Sequence, residues 1–135
     1  MQTVVLAAGA GTRMRPLTDR RPKPTLPVAD HTLVERGVDG ARAAGAGRVV
    51  VVVGYAADAV RDALGDRDVE FAVQKRQRGT ADAVRAAREF LDDAPFAVLN
   101  GDVLYDRESL AALYDAGPAV GAYRVHDPEN YGVLE

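Results

Sequence analysis

The chain contains no cysteine, and this absence removes several kinds of chemistry. Disulfide bonds, thiol nucleophiles and thiolate metal sites are excluded, so packing must hold the fold together. The 135 residues also contain no apolar run close to the roughly 20 residues that a membrane-spanning helix needs. No basic segment and cleavage site of the secretory type precede the first apolar residues. We therefore expect a cytoplasmic protein.

Positive charge is not in excess either. The formal net charge is −3, which provides no general attraction to nucleic acid or to an anionic membrane, so cationic side chains must act locally. Arginine supplies 15 of the 17 basic residues, and lysine is scarce. One of the two lysines, Lys23, lies between two prolines, where the pattern favours an ammonium group over a guanidinium. With 47% hydrophobic residues, the chain can form a core and is one domain or part of one.

Strand and helix patterns alternate along the whole chain. This alternation predicts an α/β fold with a mainly parallel sheet and helices on both of its sides. Residues 48–53 form an almost pure valine run, which is typical of a strand covered on both faces. The segment 16–27 holds four prolines and is predicted to be an ordered loop. The predicted strands are 4–6, 48–53, 70–73, 96–99 and 119–125, with another beginning at 131, and the predicted helices are 31–44, 56–64, 80–91 and 107–114.

A loop of small residues follows the first predicted strand. Its backbone N–H groups can approach a phosphate closely because few side chains block them, and Arg13 and Lys23 can reach the same phosphate from different directions. A Walker loop is excluded, since Gly9 and Gly11 are separated by a single residue and no Lys-Ser/Thr pair follows. A dinucleotide fingerprint is excluded by Met14, where a small residue is needed. An ordinary glycine turn near basic residues remains the alternative.

Two further polar segments follow predicted strands. In parallel sheets the carboxyl ends of the strands meet at one edge, so these segments and the glycine loop should lie together. Gln74 leads into Gly79-Thr80, and a glutamine amide, as both donor and acceptor, suits the edge of a nucleobase. A charged solvent loop with Thr80 as the helix N-cap is the alternative. Asp102 follows the strand 96–99 and can hold Mg²⁺ together with substrate phosphate oxygens. The alternative interpretation of this segment is a plain Asx-turn without a bound metal.

Taken together, these motifs resemble those of a known family. Leu6-Ala7-Ala8-Gly9-Ala10-Gly11-Thr12-Arg13-Met14 and Pro22-Lys23-Pro24 are similar to the signature of the sugar-1-phosphate nucleotidyltransferases, the NDP-sugar pyrophosphorylases. Gln74 with Gly79-Thr80-Ala81-Asp82-Ala83, the pair Gly101-Asp102, and Tyr131-Gly132-Val133 resemble that family's later motifs in the same order. The resemblance implies a Rossmann-like three-layer α/β/α nucleotidyltransferase fold. It also implies transfer of a nucleotidyl group from an NTP to a sugar 1-phosphate, with release of pyrophosphate.

The resemblance further implies a role for individual residues. Arg13 would meet the departing pyrophosphate and Lys23 the α-phosphate. Asp102 would carry Mg²⁺, and Gly132 would lie against the sugar phosphate. The remaining residues would hold the nucleotide, with the last three reading its base: Leu6, Ala7, Ala8, Gly9, Gly11, Thr12, Gln74, Gly79 and Thr80.

Members of the family usually continue well beyond the Tyr-Gly-Val segment. We therefore expect residues 1–135 to be the nucleotide-binding part of the domain, truncated on its C-terminal side, with an incomplete sugar-binding part. Gln74 with Gly79-Thr80 suits a pyrimidine, which favours UTP or dTTP. The alternatives are a regulatory or structural subunit without turnover and an enzyme that transfers the nucleotidyl group to a non-sugar phosphate such as phosphocholine. The expected partners are the NTP, the sugar 1-phosphate and, through an exposed sheet edge, a second copy of the chain.

Overall fold

A computed structural model describes residues 1–9, 11, 21–127 and 129. Six strands and four helices occur within these residues, together with two 3₁₀ turns at Lys23–Thr25 and Arg88–Phe90. No helix in the described part is long and apolar enough to cross a membrane. The elements are β1 (Gln2–Leu6), β2 (Pro27–Val28), β3 (His31–Thr32), α1 (Leu33–Ala43), β4 (Arg48–Val53), α2 (Ala57–Leu64), β5 (Glu70–Val73), α3 (Thr80–Ala86), β6 (Phe96–Asn100) and α4 (Arg107–Asp115).

The main sheet has four strands in the order β5-β4-β1-β6, and all neighbouring strands are parallel. The α/β fold with a parallel sheet is thus confirmed. The chain first builds the sheet outward from β1 through β4 to β5, and then crosses to the other side of β1 for β6. In open α/β sheets, such a reversal of strand order leaves a crevice at the carboxyl ends of the strands. At this end Leu6 lies opposite Val52 on one side and Asn100 on the other.

The core lies on both faces of the sheet, and β4 contributes to both. Its side chains alternate, so that Val49, Val51 and Val53 pack with α1, α2 and α4, whereas Val50 and Val52 pack with α3. All five valines are almost fully buried, which confirms the strand predicted to be covered on both faces. This rigid double layer fixes the positions of the loops that leave the carboxyl edge.

The helix predicted at 31–44 begins two residues later, at Leu33. A capping box sets this start: the Glu35 N–H donates to Thr32 Oγ1 at 3.4 Å, and the Thr32 N–H donates to Glu35 Oε2 at 2.6 Å. His31 and Thr32 instead pair with Pro27–Val28 in a short antiparallel ladder. The helix ends at Ala43, and Gly45, with φ +106°, adopts the left-handed conformation that glycine favours.

The helix predicted at 80–91 is shorter and starts differently. Its α-helical part ends at Ala86, after which the chain tightens into a 3₁₀ turn, where Phe90 N–H donates to the Ala87 carbonyl. The alternative that makes Thr80 the N-cap is wrong. Gly79 is the N-cap, because its φ of +97° makes the turn into the helix, and Thr80 is already the first helical residue.

The strand predicted at 119–125 is wrong, since the structure assigns no strand to these described residues. The segment is mostly apolar, but a strand also needs a hydrogen-bonding neighbour. Within the described part of the chain, β6 is the edge of the sheet and these residues do not pair with it. Val120 and Tyr123 are accordingly 73% and 89% exposed. The strand expected from 131 onward lies outside the described residues.

Candidate functional site

The loop after β1 forms one wall of the site. The Ala8 carbonyl accepts a hydrogen bond from Gln77 Nε2 at 2.8 Å and another from the Tyr55 N–H at 3.4 Å. These two bonds orient the Ala8–Gly9 peptide, and because a trans peptide is planar, the Gly9 N–H points away from them. Gln77 thus connects the loop after β5 to the glycine loop.

The Pro-Lys-Pro segment forms a second wall. Thr25 donates to the Pro22 carbonyl through both its N–H and its Oγ1, each at 2.9 Å, which closes the 3₁₀ turn that begins at Lys23. Lys23 Nζ lies 2.7 Å from Asp102 Oδ2. Their side chains are 31% and 34% exposed, so both charges remain open to a ligand. The structure therefore brings together a cation and a carboxylate that are far apart in sequence.

Asp102 sits on a tight turn after β6. The Gly101 N–H donates to the Leu6 carbonyl at 2.9 Å, which ties this turn to β1. The Asn100 N–H donates to the Tyr105 hydroxyl at 3.0 Å. Burial raises the pKa of Tyr105 above its ordinary value, and the nearby Asp102 charge raises it further. Tyr105 is therefore a neutral support for the turn at physiological pH.

Gln74 directly follows β5 and is almost completely buried, with 7% of its surface exposed. Its backbone N–H donates to the Val53 carbonyl at 2.8 Å. Its side-chain Nε2 donates to the Gly79 carbonyl at 3.2 Å and to Asp82 Oδ2 at 3.0 Å. The amide is thus held by the start of α3.

These loops surround one cavity of about 440 Å³ at the carboxyl edge of the sheet. The convergence expected from the parallel sheet is therefore observed for all three segments. The predicted site residues that line the cavity are Leu6, Ala8, Gly9, Gly11, Lys23, Gln74, Gly79, Thr80 and Asp102.

The remaining predicted residues are Ala7, Thr12, Arg13 and Gly132. Ala7 is buried in the core, and its N–H donates to the Val52 carbonyl at 2.8 Å, so it supports the loop from behind. Thr12, Arg13 and Gly132 lie outside the described residues. Sequence reasoning missed Gln77 and the contact of Asp82 with Gln74. A second glutamine three positions after the first was the signal for Gln77.

The residues at the cavity can accommodate a divalent cation only together with a ligand. The described residues contain no cluster of three or more histidine, cysteine, aspartate or glutamate side chains that could hold a metal ion. Asp102 is the only carboxylate among the residues that line this cavity in the described part of the chain. Mg²⁺ commonly takes one or two protein carboxylates and completes its shell with water and substrate phosphate oxygens. The donor set therefore fits a magnesium ion that arrives with a phosphorylated substrate.

The parallel sheet, the reversed strand order and the cavity at the carboxyl edge define an α/β protein of the doubly wound class. Comparison with known proteins identifies it further. The chain belongs to the nucleotidyl transferase family, whose model matches residues 2–135. The family resemblance drawn from the sequence motifs is thereby confirmed.

Among curated relatives, the chain is 38% identical over 136 residues to the bifunctional protein GlmU of Methanococcus vannielii, which covers 100% of this chain and 32% of that protein. The chain thus spans about a third of the length of the curated relatives it matches.

Among solved structures, Rv0371c from Mycobacterium tuberculosis H37Rv is 30% identical with a TM-score of 0.73, covering 87% of this chain and 60% of that one. A manganese complex of Rv0371C is 31% identical with a TM-score of 0.69, covering 87% and 59%. A UDP-glucose pyrophosphorylase complexed with UDP-glucose shares the fold at 23% identity and a TM-score of 0.67, covering 85% and 52%.

Proposed function

We propose that the protein transfers a nucleotidyl group from an NTP to a sugar 1-phosphate and releases pyrophosphate. The observation that carries this proposal is the cavity at the carboxyl edge, where a glycine loop, Lys23 and Asp102 meet. Residues 1–135 would be the nucleotide-binding part of the nucleotidyltransferase domain, acting in the cytoplasm. The family model, which matches residues 2–135, supports nucleotidyl transfer.

The phosphate chain of the NTP would lie along the glycine loop. Backbone N–H groups of Gly9, Gly11 and Thr12 would donate to phosphate oxygens, with Leu6, Ala7 and Ala8 forming the wall behind them. Lys23 would contact the α-phosphate and Arg13 the pyrophosphate. These cations offset the repulsion between two polyanions and stabilise the charge that develops on the leaving group.

The acceptor needs no general base. The phosphate oxygen of the sugar 1-phosphate is already an anion, and it forms the new bond to the α-phosphorus while the bond between that phosphorus and the pyrophosphate oxygen breaks. Gly132 would lie against this phosphate. Positioning and charge stabilisation therefore account for the reaction, and no covalent enzyme intermediate is required.

Asp102 would hold a magnesium ion in the complex with the NTP. A bound divalent cation supplies positive charge to the phosphate oxygens and orients them for in-line displacement. The manganese complex of Rv0371C supports a divalent ion in this family. In the structure Lys23 forms an ion pair with Asp102. Lys23 would move from this carboxylate to the phosphate when the metal and nucleotide bind.

Gln74, Gly79 and Thr80 would read the base, and we propose UTP or dTTP as the nucleotide. The amide of Gln74 borders the cavity next to the first residues of α3, where backbone N–H groups have no partner within the helix. An amide beside backbone N–H groups suits the edge of a pyrimidine.

The test is pyrophosphate release by the complete gene product. The protein is incubated with Mg²⁺, each NTP or dTTP, and glucose 1-phosphate or another sugar 1-phosphate. Lys23→Ala should lower the rate by about 100- to 1,000-fold, because it removes one electrostatic contact to the reacting phosphate. Its unfolding free energy should change by no more than about 1 kcal/mol, since the Lys23–Asp102 pair is partly exposed.

The other lysine offers a matched control. Lys75 is exposed and does not line this cavity in the described structure, so Lys75→Ala should retain the wild-type rate. Equal rates for wild type, Lys23→Ala and Arg13→Ala would contradict the proposed catalytic site. Tight NTP binding without pyrophosphate release would indicate a regulatory or structural subunit. Release with phosphocholine alone would indicate a non-sugar acceptor.

A further inference from the structure

The amide orientation of Gln74 is determined by its neighbours. Its Nε2 lies 3.2 Å from the Gly79 carbonyl oxygen and 3.0 Å from Asp82 Oδ2. A carbonyl and an ionised carboxylate can only accept hydrogen bonds, so the amide nitrogen must face them both. The reverse orientation would bring Gln74 Oε1 against two acceptors.

Both amide hydrogens are thus used inside the protein, and only the amide oxygen is left. Gln74 Oε1 has no protein partner among the described residues. It is nevertheless accessible, because every buried side-chain polar atom in the described part has a hydrogen-bond partner. Gln74 is otherwise buried and borders both the cavity of the candidate site and a neighbouring one lined by Asp82 and Arg85, so this oxygen is the polar side-chain atom that it can present to a ligand.

Asp82 is placed to maintain this orientation. It lies in the first turn of α3, where its charge also interacts favourably with the helix dipole. Its Oδ2 accepts from Gln74, whereas its Oδ1 lies 3.4 Å from Arg85 Nη2. The Arg85 side chain is 78% exposed, so this second contact is weak and Gln74 is the main partner of the carboxylate.

We propose that Asp82 is a positioning residue that sets base selectivity, by holding the Gln74 amide with its oxygen toward the base. This inference rests on the proposed nucleotidyl transfer. An acceptor at this position pairs with a ring nitrogen that carries hydrogen, as in uracil and thymine. In cytosine the same ring nitrogen is an acceptor, and it would repel the amide oxygen. Asp82 therefore favours UTP or dTTP over CTP without touching the nucleotide.

The experiment measures the dissociation constants of UTP and CTP by calorimetry, with Mg²⁺ and the full-length protein. The wild type should prefer UTP. Asp82→Ala leaves only the Gly79 carbonyl to orient the amide, so the preference should fall by about 10-fold, with UTP binding more weakly and CTP more tightly. Asp82→Asn still offers a carbonyl oxygen to Gln74 Nε2 and should retain more of the preference than the alanine variant.

Arg85→Gln is the matched control, because it removes the other contact of Asp82 and leaves the contact with Gln74 intact. It should keep the wild-type ratio. The ratio of two dissociation constants does not depend on the fraction of folded protein, so a purely structural effect of Asp82→Ala would leave it unchanged. An unchanged ratio in Asp82→Ala overturns the inference, as does a wild type that prefers CTP. A wild type that binds a purine nucleotide but neither UTP nor CTP also overturns the inference, whereas one that binds no NTP and no dTTP refutes the proposed function itself.

Discussion

Gly101 directly follows β6 and lies close against the end of β1, and replacing it with alanine should disrupt that approach. A Cβ atom at this position would lie 2.8 Å from the Leu6 carbonyl oxygen and 3.3 Å from both the Leu6 carbonyl carbon and Val5 Cγ1. The nearest obstacle is backbone of β1, which pairs with β4 on one side and β6 on the other. Because these pairings hold β1 in place on both sides, the turn carrying Asp102 must move instead.

The expected cost follows from these contacts. Forcing an extra methyl group into a packed site costs about 1–3 kcal/mol. Weakening the hydrogen bond from the Gly101 N–H to the Leu6 carbonyl, now 2.9 Å long, adds up to about 1 kcal/mol. Part of the strain is relieved when this bond lengthens, so the two terms overlap, and we expect the unfolding free energy to fall by about 2–3 kcal/mol. Displacement of Asp102 from its place at the cavity should also weaken binding of the nucleotide with its magnesium ion.

The assay is urea unfolding of the wild type, Gly101→Ala and Gly47→Ala. Gly47 has no heavy atom within 4 Å of a Cβ built on it, so its replacement should change stability by less than about 1 kcal/mol. Both variants reduce the backbone freedom of the unfolded chain equally, which cancels in their difference. If Gly101→Ala unfolds at the same urea concentration as Gly47→Ala, with the same dependence on urea, the close approach does not constrain the fold as described.

Two further predictions concern α1 and its contacts. Thr32→Ala removes the capping box and should lower the unfolding free energy by about 1 kcal/mol, whereas Thr32→Ser should retain most of it; equal stability of the two in urea would contradict the cap. Hydrogen bonding to Arg67 lowers the pKa of Asp39, and the Thr32 N–H lowers the pKa of Glu35. Their stabilisation is therefore complete above the unfolded-state values near pH 4 and is lost as the pH falls through the lowered values. The unfolding free energy of Arg67→Met, measured in urea, should be lower than that of the wild type at neutral pH, and the two values should converge in acid. A difference in unfolding free energy that stays constant with pH would exclude this linkage.

The sequence determined the fold class because its periodicities are local properties. The valine run of β4 predicts burial on both faces, and the alternation of strands and helices predicts a parallel sheet. Once the sheet is parallel, the segments after β1, β5 and β6 must leave from the same edge. That geometric consequence is why the sequence alone predicts that residues such as Gln74 and Asp102 share one site.

The pairing of strands and the capping of helices depend on contacts that no local sequence pattern contains. The mostly apolar sequence of residues 119–125 predicts a strand, yet a strand forms only where a neighbouring strand supplies hydrogen bonds. Threonine is a good N-cap, which favours Thr80 as the cap of α3, whereas in the structure the cap is Gly79 with its positive φ and Thr80 is the first helical residue. In both cases the local preference is real, and the surrounding chain decides whether it is used.

Strand order and side-chain orientation belong to the tertiary structure alone. Only the placement of β6 beside β1 brings Asp102 to within 2.7 Å of Lys23. Only the packing of α3 against the sheet turns the Gln74 nitrogen toward Asp82 and leaves its oxygen for a ligand. The sequence by itself specified which groups reach the carboxyl edge, because the alternation of strands and helices implies parallel strands whose ends share one edge. The fold decided which of them meet and which atoms they present, because those depend on distances between segments that are remote in the chain.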